Sequence, residues 1–330
     1  MRHKNKIKGF ILILFILPYL AFSAGESNED TPQTANEETD NTQTEQAPKK
    51  APLVRSFTPS QKSRVEALIA QIEKSAPNEV ESLNFQDESF LALYRAASNS
   101  QAQGCIILLH GNNEHPNWPN VINPVRMNMT ENSWCTLSIE IPDSSEKESL
   151  SFIKETPDTE TVAESDGKLP NEETVFGRIG ASIAYANEQG ISNISLLGYG
   201  TGATYALKYS AENKLNTGAL ILISTTMPGT SPPFVMAKLL ASSLQPVLDY
   251  YIQPNQLDKQ YANARRTAMG QRETQNPIYT RIKVTSNSQF SIDENQLIQR
   301  IRGFLKQNTK QREQLKRLPI IRKSLFYQAP

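Results

Sequence analysis

Three short stretches hold most of the side chains that could do chemistry. His110-Gly111-Asn112-Asn113-Glu114-His115-Pro116-Asn117-Trp118-Pro119 gathers two imidazoles, a carboxylate and an indole into ten residues. Gly198-Tyr199-Gly200-Thr201-Gly202 is a glycine turn carrying one phenol and one hydroxyl. Asp249 interrupts the apolar run Pro246–Ile252. A hydroxyl or thiol beside an imidazole, with a carboxylate orienting the base, is the arrangement that makes a nucleophile. The chain has three His, and His3 lies in a basic, cleavable-looking start, so a base can come only from His110 or His115. Thr201, Ser286 and Ser288 are the hydroxyls that could pair with one of them. Each residue also has a structural use. Gly200 suits a backbone angle that other residues avoid. Thr201 can cap a helix that starts beside it. His110 can brace its loop by hydrogen bonds, and Asp249 can be an ion-pair partner. His115 with Trp118 is the best pair for gripping a ligand, with loop anchoring as the competing use. Glu114, His115 and Asp249 are metal-ligand types, but not at a local ligand spacing. No metal and no cofactor is expected.

These residues follow apolar runs that read as strands. Gly104–His110, Ile191–Leu197, Gly218–Ser224 and Pro246–Ile252 are short and almost wholly apolar, as strands covered on both faces are. Ser89–Ala97, Trp134–Pro142 and Thr280–Thr285 complete the set. Helical spacing marks the segment after Thr58-Pro59-Ser60, with Val65, Leu68, Ile69 and Ile72 on one face. It recurs over Glu173–Gln189, Ala203–Ala211, and from Asp293 with Leu297, Ile298, Ile301, Phe304 and Leu305. Strands alternating with helices predict an α/β fold: a mostly parallel central sheet with helices on both faces.

The ends and one internal stretch have a different composition. Residues 1–23 place Arg2, Lys4, Lys6 and Lys8 before the apolar run Phe10–Phe22, which is the pattern of a secretory signal. A cut after Ser23 fits best, and one after Ala24 is the second choice. Without those four basic residues, 30 basic residues face 34 acidic ones, a net charge of −4. A nucleic-acid binder would need a basic excess, and an integral membrane protein a longer apolar run. Residues 24–52 hold no Val, Ile, Leu or aromatic side chain and read as a disordered acidic linker. Residues 143–174 carry ten acidic residues and three lysines, and read as a mostly flexible surface insertion. The basic tail 309–330 either ends a solvated helix or docks on an anionic surface. Cys105 and Cys135 are the two cysteines. In an exported chain they can form one bridge, or remain two buried thiols.

The order of these pieces resembles the α/β-hydrolase fold: a strand ending in His-Gly, then a strand–Gly-x-x-x-Gly–helix turn, then an Asp in a later strand. More narrowly, GCIILLHGNNEHPNW, WCTLSIEIP, LLGYGTGATYAL, PVLDYY and IQRIRGFL together resemble a bacterial secreted family known as domain of unknown function 3530. The resemblance covers residues 60–308. Ordered sequence begins near Leu53, so the domain is expected to span 53–308, and the resemblance implies that the strands carrying Cys105 and Cys135 lie side by side, so the bridge is expected. It also implies that the turn Gly198–Gly202 is the elbow that presents the hydrolase nucleophile, with the oxyanion hole built from the amide after it and one from the His-Gly loop. The elbow's central position is Gly200, which has no nucleophile. The loop expected to hold the triad His, Ser286–Phe290, has none. Asp249 alone matches a triad position, so the triad is expected to be degenerate. His110, Gly111, His115, Trp118, Tyr199 and Thr201 remain as ligand-binding candidates. The expected function is a non-catalytic binding or scaffolding module of the cell envelope, with an envelope protein or a small ligand as partner. The alternative is an esterase or other acyl hydrolase with a rearranged site.

Overall fold

Two strands with no polar face set the architecture. Gly104–Leu109 (β3) and Trp134–Ile139 (β4) are buried at every position, so helices must cover both sides of them. The computed structural model describes residues 59–99, 101–144, 167–215, 218–228, 233–252, 256–271, 278–284 and 292–310. Its strands continue with Val80–Phe85 (β1), Glu88–Arg95 (β2), Ile194–Tyr199 (β5), Leu220–Ile223 (β6), Val247–Ile252 (β7) and Tyr279–Val284 (β8). They form one eight-stranded sheet in the order β1-β2-β4-β3-β5-β6-β7-β8. β1 and β2 run antiparallel to their neighbours, and all pairs from β4 to β8 are parallel.

The described helices are Gln61–Ser75 (α1), Ile122–Glu131 (α2), Glu172–Glu188 (α3), Thr201–Glu212 (α4), Pro233–Leu239 (α5), Gln256–Gly270 (α6) and Glu294–Asn308 (α7). Alternation along β3 divides the core. Cys105, Ile107 and Leu109 join the cluster containing Val175, Ile179, Ala206, Met236 and Tyr261 from α3 to α6. Ile106 and Leu108 join the opposite cluster with Val125 and Met129 of α2 and Leu297, Ile301 and Leu305 of α7. Helix α1 starts at Ser60, whose hydroxyl accepts from the Ser63 amide at 3.3 Å. Its Leu68 and Ile72 pack on Leu91 and Leu93 of β2.

Several expectations hold in detail. The seven anticipated strands are present, and Cys105 lies directly opposite Cys135 in the β3–β4 ladder. The two are disulfide-bonded and buried, with a Cα separation of 4.4 Å. Others need correction. β1, α2, α5 and α6 carried no recognised pattern. The described ends of the stretch 143–174, read as mostly flexible, are held: Asp143 accepts from the Asn113 amide at 2.9 Å, and α3 begins at Glu172. Residues 145–166, the signal and linker segments, and residues 311–330 lie outside the described residues. Among the described residues no helix is long and apolar enough to cross a membrane.

Candidate functional site

The glycine turn is a strand-to-helix elbow. β5 ends at Tyr199, α4 begins at Thr201, and Gly200 between them has φ 58° and ψ −123°. A residue with a side chain is strained there, and three bonds hold the turn in place. The Gly200 amide donates to Ile223 O at 3.0 Å, and Gly200 O accepts from the Thr226 and Ala203 amides at 3.0 and 3.3 Å. A Cβ built on Gly200 would lie 3.5 Å from Gly111 Cα and 3.7 Å from Thr226 Oγ1, which is ordinary contact. The space around the elbow would therefore admit a serine-sized side chain. Gly202 differs: a Cβ there would meet His110 O at 2.4 Å and Leu109 O at 2.5 Å. Its lack of a side chain lets α4 start against the end of β3. Gly200 holds the N-cap position of α4, and no side chain caps it. The expectation that Thr201 caps the helix therefore fails: the sharp elbow starts the helix one residue early and makes Thr201 its first helical residue.

The His-Gly loop lies against this elbow. His110 is 1% exposed. Its Nε2 accepts from the Ile141 amide at 3.1 Å, so its Nδ1 carries the proton and donates to Gly111 O at 2.8 Å. Burial lowers its pKa to about 4, against the opposing pull of the Gly111 carbonyl. His110 is thus a neutral brace with both ring nitrogens used. Glu114 Oε2 accepts from the Gly111 amide at 2.7 Å. Burial raises its carboxyl to about 7, although that amide favours the anion. Tyr199 is raised by burial and then by the charge of Glu114. His115 Nδ1 accepts from the Asn117 amide at 3.2 Å, and its ring meets Trp118 edge-on at 5.3 Å. Burial, then Arg64, lowers the His115 pKa. The Trp118 indole N–H has no hydrogen-bond partner among the described residues.

A crosspiece after β4 fixes this loop. Ile141 holds His110, the Asn112 side chain accepts from the Ser144 amide at 2.8 Å, and Asp143 holds the Asn113 amide. Helix α1 grips the same crosspiece from outside. Gln61 bonds Glu140, Ile141 O and the Asp143 amide, and Arg64 pairs with Asp143.

Asp249 is not part of this group. It is the third residue of β7, and its register partner Leu222 lies opposite Gly198, so it sits below the level of Gly200. Its carboxylate is fully buried and receives Arg265 Nη2 at 2.8 Å, Arg265 Nε at 3.0 Å and the Tyr279 hydroxyl at 2.7 Å. Burial alone would lower the Arg265 pKa; the adjacent Asp249 outweighs that and raises it. Of the two uses read from the sequence, the ion pair is the one observed. The charge within an apolar strand drew attention to Asp249, but its partner lies on α6, a helix without a clear apolar stripe. Glu114 was visible only as a metal-ligand type; its contact with Gly111, three residues away, depends on the loop's turn. Among the described residues no three His, Cys, Asp or Glu side chains converge as metal ligands. Ser286 and Ser288 lie outside the described residues.

The chain belongs to the family described as Protein of unknown function (DUF3530), whose model matches residues 9–307. No curated protein matches it. Similar solved structures include a dienelactone hydrolase from Anabaena variabilis, 15% identical, covering 70% of this chain and 97% of that one with a TM-score of 0.50. Est1E from Butyrivibrio proteoclasticus is 10% identical, with coverage of 72% and 100% and a TM-score of 0.50. A lipase/esterase from Lactobacillus plantarum is 12% identical, with coverage of 69% and 98% and a TM-score of 0.50. The fold is α/β-hydrolase-like, and the likeness at these identities is one of fold.

Proposed function

We propose that this chain is an exported binding module of the cell envelope that keeps the α/β-hydrolase frame without its nucleophile–base pair. The observation that carries the reading is Gly200. It occupies the strained elbow position with room for a side chain and has none. Acyl transfer at such an elbow needs a nucleophile and a base able to take its proton. His110 has both ring nitrogens committed, and Asp249 is committed to Arg265. What the site offers a ligand is recognition: the half-buried His115 and Trp118 rings of the loop and the Tyr199 phenol at the end of β5. The basic, apolar start of the chain and the Cys105–Cys135 bridge support export. The test is to treat the purified protein with an active-site-directed fluorophosphonate and to assay short-chain esters. No labelling and no hydrolysis above background are expected. Stoichiometric labelling, lost on Thr201→Ala, would overturn the reading.

One observation favours acyl hydrolysis as a second reading. Glu114 holds a carboxyl with a pKa of about 7 against Gly111, which itself abuts the elbow. Such a group could take a proton from water adding to an ester carbonyl and return it to the leaving alkoxide. Hydrolysis that rises through pH 7 and disappears in Glu114→Gln would establish it.

A further inference from the structure

Helices α5 and α6 line a groove of about 540 Å³, within the size range of small-molecule sites. The sequence opens it by placing alanine where two packed helices usually carry large side chains. Ala237 on α5 faces Ala264 and Ala268 on α6, one turn apart. Ala237 and Ala268 are 1% and 4% exposed, so they form a floor rather than a rim. Phe234 stands 59% exposed as one wall. An aromatic ring left in water at the mouth of an apolar groove marks a surface that gains by being covered. From Gln260 on α6 to Gln271 just past its end, the groove runs ~16 Å. Its electrostatics are one-sided. Among the described residues, Lys238 is the charged residue lining it, the remaining polar side chains are neutral, and no carboxylate contributes. The Lys238 ammonium has no ion-pair partner among the described residues.

We propose that this groove binds a single-chain anionic amphiphile, its acyl chain on the alanine floor and its carboxylate against Lys238. The shape selects a slender apolar body, because the alanines leave a channel and not a broad face. The Lys238 ammonium selects the sign of the head group. The proposal is independent of the elbow, which lies at the strand ends and shares no residue with the groove.

The experiment is calorimetric titration of the purified protein with dodecanoate below its micelle concentration, with dodecanol as the uncharged control. Saturable binding of one dodecanoate per chain is expected. Ala264→Phe fills the groove from a part-exposed position and should weaken binding at least about tenfold with the melting temperature retained. Thr267→Trp, at an exposed lining position, is the second blocking variant and should do the same. Lys238→Gln should weaken dodecanoate roughly three- to fivefold, the range of an exposed ion pair, and leave dodecanol unchanged. Absence of saturable binding to the wild type would overturn the proposal. So would binding indifferent to both blocking variants, equal loss of dodecanoate and dodecanol in Lys238→Gln, or a dimer in sedimentation velocity that the blocking variants dissolve.

Discussion

Replacing Asp249 by Ala separates a buried structural pair from an acid held ready for chemistry. The carboxylate is 0% exposed and the guanidinium 1% exposed, joined by two hydrogen bonds of 2.8 and 3.0 Å. Tyr279 donates a third bond to the same carboxylate, and Arg265 lies 4.6 Å from the Tyr261 ring centre. Removing one member of a buried pair leaves an uncompensated charge and costs about 3–5 kcal/mol. For a domain of this size 1 kcal/mol corresponds to ~2–4 °C in Tm, so Asp249→Ala should melt ~6–20 °C lower by circular dichroism. Arg265→Met should fall in the same range. The double variant Asp249→Leu/Arg265→Met should recover most of the loss, because a buried pair is close to neutral against an apolar replacement of similar size. A Tm within about 2 °C of wild type for Asp249→Ala, less than the effect of 1 kcal/mol, would show that the carboxylate is not load-carrying in the fold. It would then return as a candidate acid.

Glu114 and His110 should give opposite pH dependences. The Glu114 carboxyl is raised to about 7, so the native state holds its proton more tightly than the unfolded chain, and this contribution to stability is lost as pH rises through 7. His110 is lowered to about 4, so its contribution is lost as pH falls below its unfolded value toward 4. Melting temperatures of Glu114→Gln from pH 4 to 8 should therefore rise more steeply with pH than those of wild type; parallel profiles would refute the Glu114 assignment. Reducing the Cys105–Cys135 bridge, which closes 30 residues of chain, should cost ~3–4 kcal/mol, and mass spectrometry without reductant should find no alkylatable thiol. Gly202→Ala should be far more damaging than Gly200→Ala, since its Cβ meets two backbone oxygens. Gly200→Ala should cost only ~1–3 kcal/mol of backbone strain, and urea titration of the two variants would contradict this if they were equal.

Legibility followed burial. Runs such as Gly104–Leu109 and Leu220–Ile223 announce themselves because every side chain is apolar. β1 does not: its sequence VESLNF is half-buried, and it is turned into β2 by Gln86-Asp87 without a glycine. Helix α6 hides for a different reason. Its inward face is Tyr261, Ala262, Arg265 and Ala268, where small and charged residues stand in for the usual apolar stripe. Helix α2 begins at Ile122 after an N-cap, Val121, whose side chain makes no capping bond, so no capping residue announces its start. In the site, the elbow was legible because its glycines are spaced by a backbone requirement. The locking of His110 was not, because it depends on Ile141, 31 residues away, reaching its ring nitrogen.

The claim that the elbow lacks both halves of the acyl-transfer pair is tested most directly by Gly200→Ser. The added side chain has room beside Gly111 and Thr226, so the variant should fold, at a cost of ~1–3 kcal/mol for a non-glycine residue at φ 58°. If no base is in place to accept the hydroxyl proton, the folded variant should remain unlabelled by a fluorophosphonate and hydrolyse short-chain esters no faster than wild type. Rapid, stoichiometric labelling of Ser at position 200, with ester turnover that depends on His115 or Glu114, would show that the base was present all along and would contradict the account.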